Sequence, residues 1–162
     1  MKKTIVAIVL IALTAYMLWS LVGKQAPDLP LFNTTLYDEN NQVVPADSFK
    51  GKVLIVSYFQ TWCGDCRREQ PELMQLQNSV GEDQLKLVFI SDESFDKINR
   101  MKEYLQVNIP FYRSEKTLKE LGVNRYPTTY LIDKSGKVVD VKVEGIDWYN
   151  DKNIQLIQKL NK

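Results

Sequence analysis

Two cysteines stand two residues apart in Trp62-Cys63-Gly64-Asp65-Cys66, and they are the only thiols in a chain of 162 residues that has no histidine. Thiols at this spacing can trade electrons as a dithiol–disulfide couple, supply half of a metal site, or close a small structural disulfide. A structural zinc site wants four cysteine or histidine ligands, and this chain offers two. A permanent cross-link over so short a loop removes little entropy from the unfolded chain. The residues therefore favour redox exchange. A free thiol with a pKa of about 8.5 is only ~3% ionised at pH 7, so the attacking cysteine needs surroundings that favour its thiolate. The unpaired N–H groups at the start of a helix supply them.

The elements on either side of the pair are placed to do this. Lys52 to Gln60 is nearly continuous in apolar and β-favouring residues, which predicts a central strand covered on both faces. It runs directly into the cysteines. Cys66 to Val80 then reads as a helix, with Leu73, Leu76 and Val80 at three- and four-residue steps. Leu85 to Ile90 predicts a second core strand, Phe95 to Leu105 a helix with Ile98, Met101 and Leu105 inward, and Thr117 to Leu121 a short further helix. Phe32–Tyr37 and Gln42–Val44 flank Asp38-Glu39-Asn40-Asn41 as an N-terminal hairpin. Thr128–Ile132 and Val138–Val143 flank Asp133-Lys134-Ser135-Gly136 as a second one. Asp151 to Leu160 closes the chain as an amphipathic helix. Strands alternating with helices, plus antiparallel hairpins, predict an α/β fold with a mixed central sheet flanked by helices. In such sheets chemistry gathers at the carboxyl ends of strands, which is where the cysteines fall.

Ahead of this domain, Ile5 to Val22 is an uninterrupted run of 18 residues without a charge, preceded by Lys2 and Lys3. As a helix it would extend about 27 Å, close to the hydrocarbon thickness of a bilayer. Leu21-Val22-Gly23 lacks the small-x-small pattern of a signal cleavage site. The expectation is a retained transmembrane anchor over residues 1–23, with a cleaved signal as the alternative. The lysines would stay on the cytoplasmic side, so the catalytic domain would face outward from the cytoplasmic membrane. Residues 24–30 form a polar, proline-containing tether, and residues 31–162 are long enough for one domain with a real core. The whole chain has 21 basic against 20 acidic residues, a balance that gives no reason to expect a nucleic-acid partner.

With its motif placed, the chain resembles the thioredoxin fold, and more narrowly the membrane-anchored thiol–disulfide oxidoreductases of the TlpA/ResA/CcmG type. The resemblance rests on Trp62-Cys63-Gly64-Asp65-Cys66, on Pro71 five residues after the second cysteine, and on Gly122-Val123 followed by Tyr126-Pro127-Thr128-Thr129-Tyr130-Leu131-Ile132-Asp133. It implies a cis bond at Tyr126-Pro127. It also implies that Glu69, three residues after Cys66, assists proton transfer. Thioredoxin itself carries a buried acid six residues before its first cysteine, where this chain has Ser57.

The expected roles follow. Cys63 attacks a substrate disulfide and Cys66, deeper in the helix, resolves the mixed disulfide. Trp62, Tyr126 and Pro127 face the substrate. Gly64 and Asp65 tune the couple, Asp65 by a negative charge that Arg67 and Arg68 offset. Trp148 and Tyr149 read as packing or surface residues without a catalytic role. No cofactor is expected beyond the redox-active Cys63–Cys66 disulfide, and no metal. The resemblance further implies that a monomer reduces the disulfides of exported proteins such as apocytochrome c, with electrons from a membrane thiol carrier. An oxidase or isomerase of the same fold is the alternative. A copper-delivery module fits less well because it needs a third soft or imidazole ligand.

Overall fold

A computed structural model describes residues 8–17, 28–31, 33–107 and 109–162. Residues 8–17 are helical (α1), and their apolar side chains, among them Ile8, Ile11, Leu13 and Met17, are exposed. Among the described residues no helix is long and apolar enough to cross a membrane. The rest of the expected anchor, residues 1–7 and 18–23, and most of the expected tether lie outside the described residues.

Seven strands form one mixed sheet in the order β2-β1-β5-β4-β3-β6-β7. They are β1 (Leu36–Tyr37), β2 (Val43–Val44), β3 (Leu54–Tyr58), β4 (Lys86–Ser91), β5 (Phe111–Ser114), β6 (Thr128–Ile132) and β7 (Val138–Val143). β3 runs parallel to β4, and β4 parallel to β5; the other pairings are antiparallel. All five residues of β3 are buried, as the unbroken apolar run requires of a strand with neighbours and covering on both sides.

Side-chain alternation along the central strands divides the core in two. Ile55 of β3, Phe59 just past its end, Leu87 and Phe89 of β4 and Leu131 of β6 face the helices α2 (Gly64–Val80), α3 (Phe95–Leu105) and α4 (Asp151–Leu160), through Leu73, Leu76, Ile98, Met101 and Ile157. Leu54, Val56, Tyr58, Tyr130 and Ile132 face the other way. There they are covered by Leu31, by Phe49 from a 3-10 turn at Ala46–Phe49, and by Leu118, Leu121 and Val123. Ser57 and Thr129 share the parity of the helix-facing set, so two hydroxyls point toward α2 from a layer otherwise apolar.

Three elements differ from the sequence reading. Thr117–Leu121 is not a helix but a run of turns: Gly122, at φ +81°, reverses the chain after five residues, and Val123 N–H donates to Leu118 O at 2.8 Å. β5 was not foreseen, because Phe-Tyr-Arg-Ser has no two-residue alternation and follows Pro110; it exists because β4 and β1 offer ladder partners on both sides. The N-terminal hairpin is confined to two-residue strands.

Candidate active site

β3 ends at Tyr58, and the chain turns once before α2 begins, with Cys63 N–H donating to Gln60 O at 3.1 Å. The helix starts at Gly64, two residues earlier than its apolar pattern indicates, because Cys63 is its N-cap. Cys63 has an extended backbone, and its Sγ accepts the N–H of Cys66 at 3.1 Å. Cys63 and Cys66 form a disulfide. Cys66 is wholly buried, whereas Cys63 keeps 6% of its surface exposed, so Cys63 is the sulfur a partner can reach.

The predicted substrate-facing residues surround that opening. Trp62 is 68% exposed, and its ring meets Tyr126 edge to face with centroids 5.9 Å apart. The Tyr126-Pro127 bond is cis, and the Tyr126 hydroxyl donates to Val123 O at 3.2 Å. A Cβ added at Gly64 would meet nothing within 4 Å beyond its chain neighbours and its own helix backbone, so the surface over the first turn of α2 is open there. Asp65 pairs with Arg68, while the Arg67 guanidinium turns back to donate to Thr61 O from both Nε (3.0 Å) and Nη2 (2.7 Å).

Glu69 sits one turn past Cys66 on the same helical face and is completely buried. Ser57 and Thr129 are directly opposed across β3 and β6, and both reach its Oε2: Ser57 Oγ donates at 2.8 Å and Thr129 Oγ1 lies at 3.0 Å. Trp148, itself buried, donates its indole N–H to Oε1 at 3.0 Å. Burial lifts the Glu69 carboxyl to about pH 7, and the nearby Glu72 carboxylate raises it as well, against the three hydrogen bonds that favour the charged form. The arrangement accepts either state. Ionised, Oε2 takes two hydroxyl donors; protonated, it donates to one hydroxyl oxygen, and the rotor turns to suit.

Trp148 is placed by Glu72, also on α2, whose Oε2 accepts the backbone N–H groups of Asp147 (2.8 Å) and Trp148 (3.1 Å). Lys142 Nζ lies over the indole at 4.6 Å from its centroid. The structure thus brings Cys63, Cys66, Trp62, Tyr126, Pro127 and Glu69 to one end of β3 and β6. It also adds Ser57 and Thr129, which the sequence reading left out of the site, and Trp148, which it read as a packing or surface residue without a catalytic role but whose buried indole donates to Glu69. Tyr149 remains a half-exposed surface residue.

A sequence model of the AhpC/TSA family matches residues 22–141. The thioredoxin-like protein YneN of Bacillus subtilis is 30% identical over 160 residues, covering 88% of this chain and 91% of YneN. The thiol–disulfide oxidoreductase ResA of Bacillus thuringiensis subsp. konkukian is 29% identical over 121 residues, covering 73% of this chain and 67% of ResA. Among solved structures, a thioredoxin-family thiol:disulfide interchange protein from Chlorobium tepidum superposes with a TM-score of 0.62 at 22% identity, over 85% of this chain and 99% of that one. The chain belongs to the AhpC/TSA family and is a TlpA/ResA/CcmG-like member of the thioredoxin superfamily.

Proposed function

We propose that this thiol–disulfide oxidoreductase works as a reductase of exported proteins, apocytochrome c cysteines among them, held at the outer face of the cytoplasmic membrane by residues 1–23. The observation that carries the redox reading is the stacking of three features on one helix end. An N-capping sulfur stands at the opening, a buried partner sulfur lies behind it, and one turn deeper is a carboxyl poised near pH 7. The exposed apolar side chains of residues 8–17 support the anchor.

The reaction starts from the reduced pair. The Cys63 thiolate, favoured by the N–H groups at the start of α2, attacks one sulfur of the client disulfide and expels the other as a thiolate. A mixed disulfide forms through Cys63. Glu69 takes the Cys66 proton, and a carboxyl with a pKa near 7 is about half ionised at neutral pH and so able to accept it. The Cβ atoms of residues three apart on a helix are roughly 5–6 Å apart, so the Glu69 carboxyl and the Cys66 thiol are neighbours on one face of α2. The Cys66 thiolate then attacks Cys63 Sγ and releases the client's second thiolate. Two electrons leave the enzyme, which ends as the Cys63–Cys66 disulfide, and two protons complete the client dithiol. A membrane thiol carrier would return the electrons.

Cys66→Ser tests the assignment. It should accumulate mixed disulfides through Cys63 in intact membranes, and the trapped clients identify the substrates. Adducts on Cys63→Ser instead would reverse the two roles. Equilibration with glutathione tests the direction: a couple near about −120 mV, the range of strong oxidants, would contradict a reductase.

A further inference from the structure

A groove of about 490 Å³ lies beside the reactive end, walled by Trp62 and Arg67 on one side and by α3 on the other. The α3 wall is a single stripe at three- and four-residue spacing: Glu93 just before the helix, then Lys97, Arg100 and Tyr104. Its charges are unequal in number and in availability. Glu93 is the only carboxylate in the lining, and it is occupied: Oε2 accepts Thr61 N–H at 2.5 Å, and Oε1 accepts the Thr61 hydroxyl at 3.1 Å and the Lys97 ammonium at 3.2 Å. Arg67 is fixed on Thr61 O, with its guanidinium 5.8 Å from the centre of the Tyr104 ring and no carboxylate partner among the described residues. Arg100 is exposed and likewise has no carboxylate partner among the described residues. Two large rings, Trp62 (68% exposed) and Tyr104 (73% exposed), stand open at the same place.

A groove with two guanidinium groups lacking carboxylate partners among the described residues, flanked by two exposed aromatic rings, is complementary to a carboxylate on an extended polypeptide. We propose that it selects client segments with an acidic side chain near the cystine to be reduced, and that Arg100 is the specificity-determining residue. This rests on the redox reading above. Arg67 lies four residues past Cys63, about 6 Å along the helix, and an extended client advances about 3.3 Å per residue, so an acid facing Arg67 falls about two residues from the attacked cysteine. Arg67 is the wrong residue to mutate, because it also holds Thr61. Arg100 makes no such contact among the described residues and is free to change.

The test is a single turnover of the reduced full chain against two synthetic peptides, each closed by one disulfide and differing only in Glu or Lys at one position near it. The exchange oxidises Cys63 and Cys66 and reduces the peptide cystine to two thiols, so the appearance of peptide thiol reports the rate. The Glu peptide should react about fivefold faster at low salt, the scale of one or two exposed charge contacts, and the ratio should shrink as salt is added. Arg100→Glu should bring the ratio to one or invert it through the half-saturating peptide concentration rather than the limiting single-turnover rate, and Arg100→Lys should keep most of it. Equal wild-type rates for the two peptides, or a ratio that Arg100→Glu leaves intact, would overturn the selective groove while leaving the redox reading standing. Failure of the reduced wild type to exchange with either peptide would overturn both.

Discussion

Replacing Glu69 by Gln should strengthen the fold above neutral pH while it weakens the chemistry. The amide fits the same cage: its oxygen can accept the Trp148 indole N–H, and its NH2 can donate to Ser57 and Thr129, whose hydroxyls rotate to receive it. What disappears is a titration. The Glu69 carboxyl is raised from 4.5 to about 7, so between those values the folded protein holds a proton that the unfolded chain has released. The unfolded state then binds fewer protons, and stability falls as pH rises through that window. The gap from 4.5 to about 7, at about 1.4 kcal/mol for each pH unit, comes to about 3 kcal/mol. Urea unfolding of the oxidised protein, in which neither cysteine titrates, is the assay. Wild type and Glu69→Gln should be nearly equal near pH 4 and separate to about 3 kcal/mol by pH 8, with the variant the more stable. In the reduced protein, resolution of the mixed disulfide should slow by about 100-fold and lose its inflection near pH 7. Parallel stability curves for the two proteins from pH 4 to 8 would refute the claim that burial holds a proton on Glu69.

Trp148→Phe keeps most of the ring volume but removes the donor to Oε1. The inflection of the resolving step should move above 7, and stability at pH 8 should drop by about 1–3 kcal/mol, read by urea unfolding. Thr129→Val removes an Oε2 partner at constant shape and should shift the same inflection upward, whereas Glu72→Gln removes a carboxylate that raises the Glu69 pKa and should shift it downward. Stopped-flow pH profiles of the mixed-disulfide decay separate the two directions.

The fold was legible wherever burial leaves a periodic mark. The unbroken run of β3, the three- and four-residue apolar steps of α2, α3 and α4, and the Asp133–Gly136 turn between β6 and β7 all form where the pattern places them. Segments without such a mark were not legible. β5 owes its conformation to its neighbours in the sheet, and Thr117–Leu121 was too short for helical spacing to outweigh the glycine that follows it. The same division runs through the site. Cys63 and Cys66 lie in one compact motif, and the cis bond before Pro127 and the role of Glu69 came from the family resemblance. Its cage could not be found that way, because Ser57, Thr129 and Trp148 lie 12, 60 and 79 residues away from it in sequence. One signal was present: Ser57 and Thr129 are hydroxyls at the helix-facing positions of two otherwise apolar strands, and that parity called for a polar partner.

Leu31 is buried in the same apolar cluster as Phe49, Leu54 and Ile132, at the beginning of β3 and the end of β6. The reactive sulfurs follow the opposite end of β3, about 17 Å away by the length of five extended residues. Tension arriving through residues 28–31 therefore meets the body at the pole farthest from its mouth. On the proposed anchoring by residues 1–23, such a domain would look outward: clients would be met head-on, away from the surface that holds the leash, and a donor lying flat on that surface would have to rise by roughly the depth of the sheet to recharge the pair.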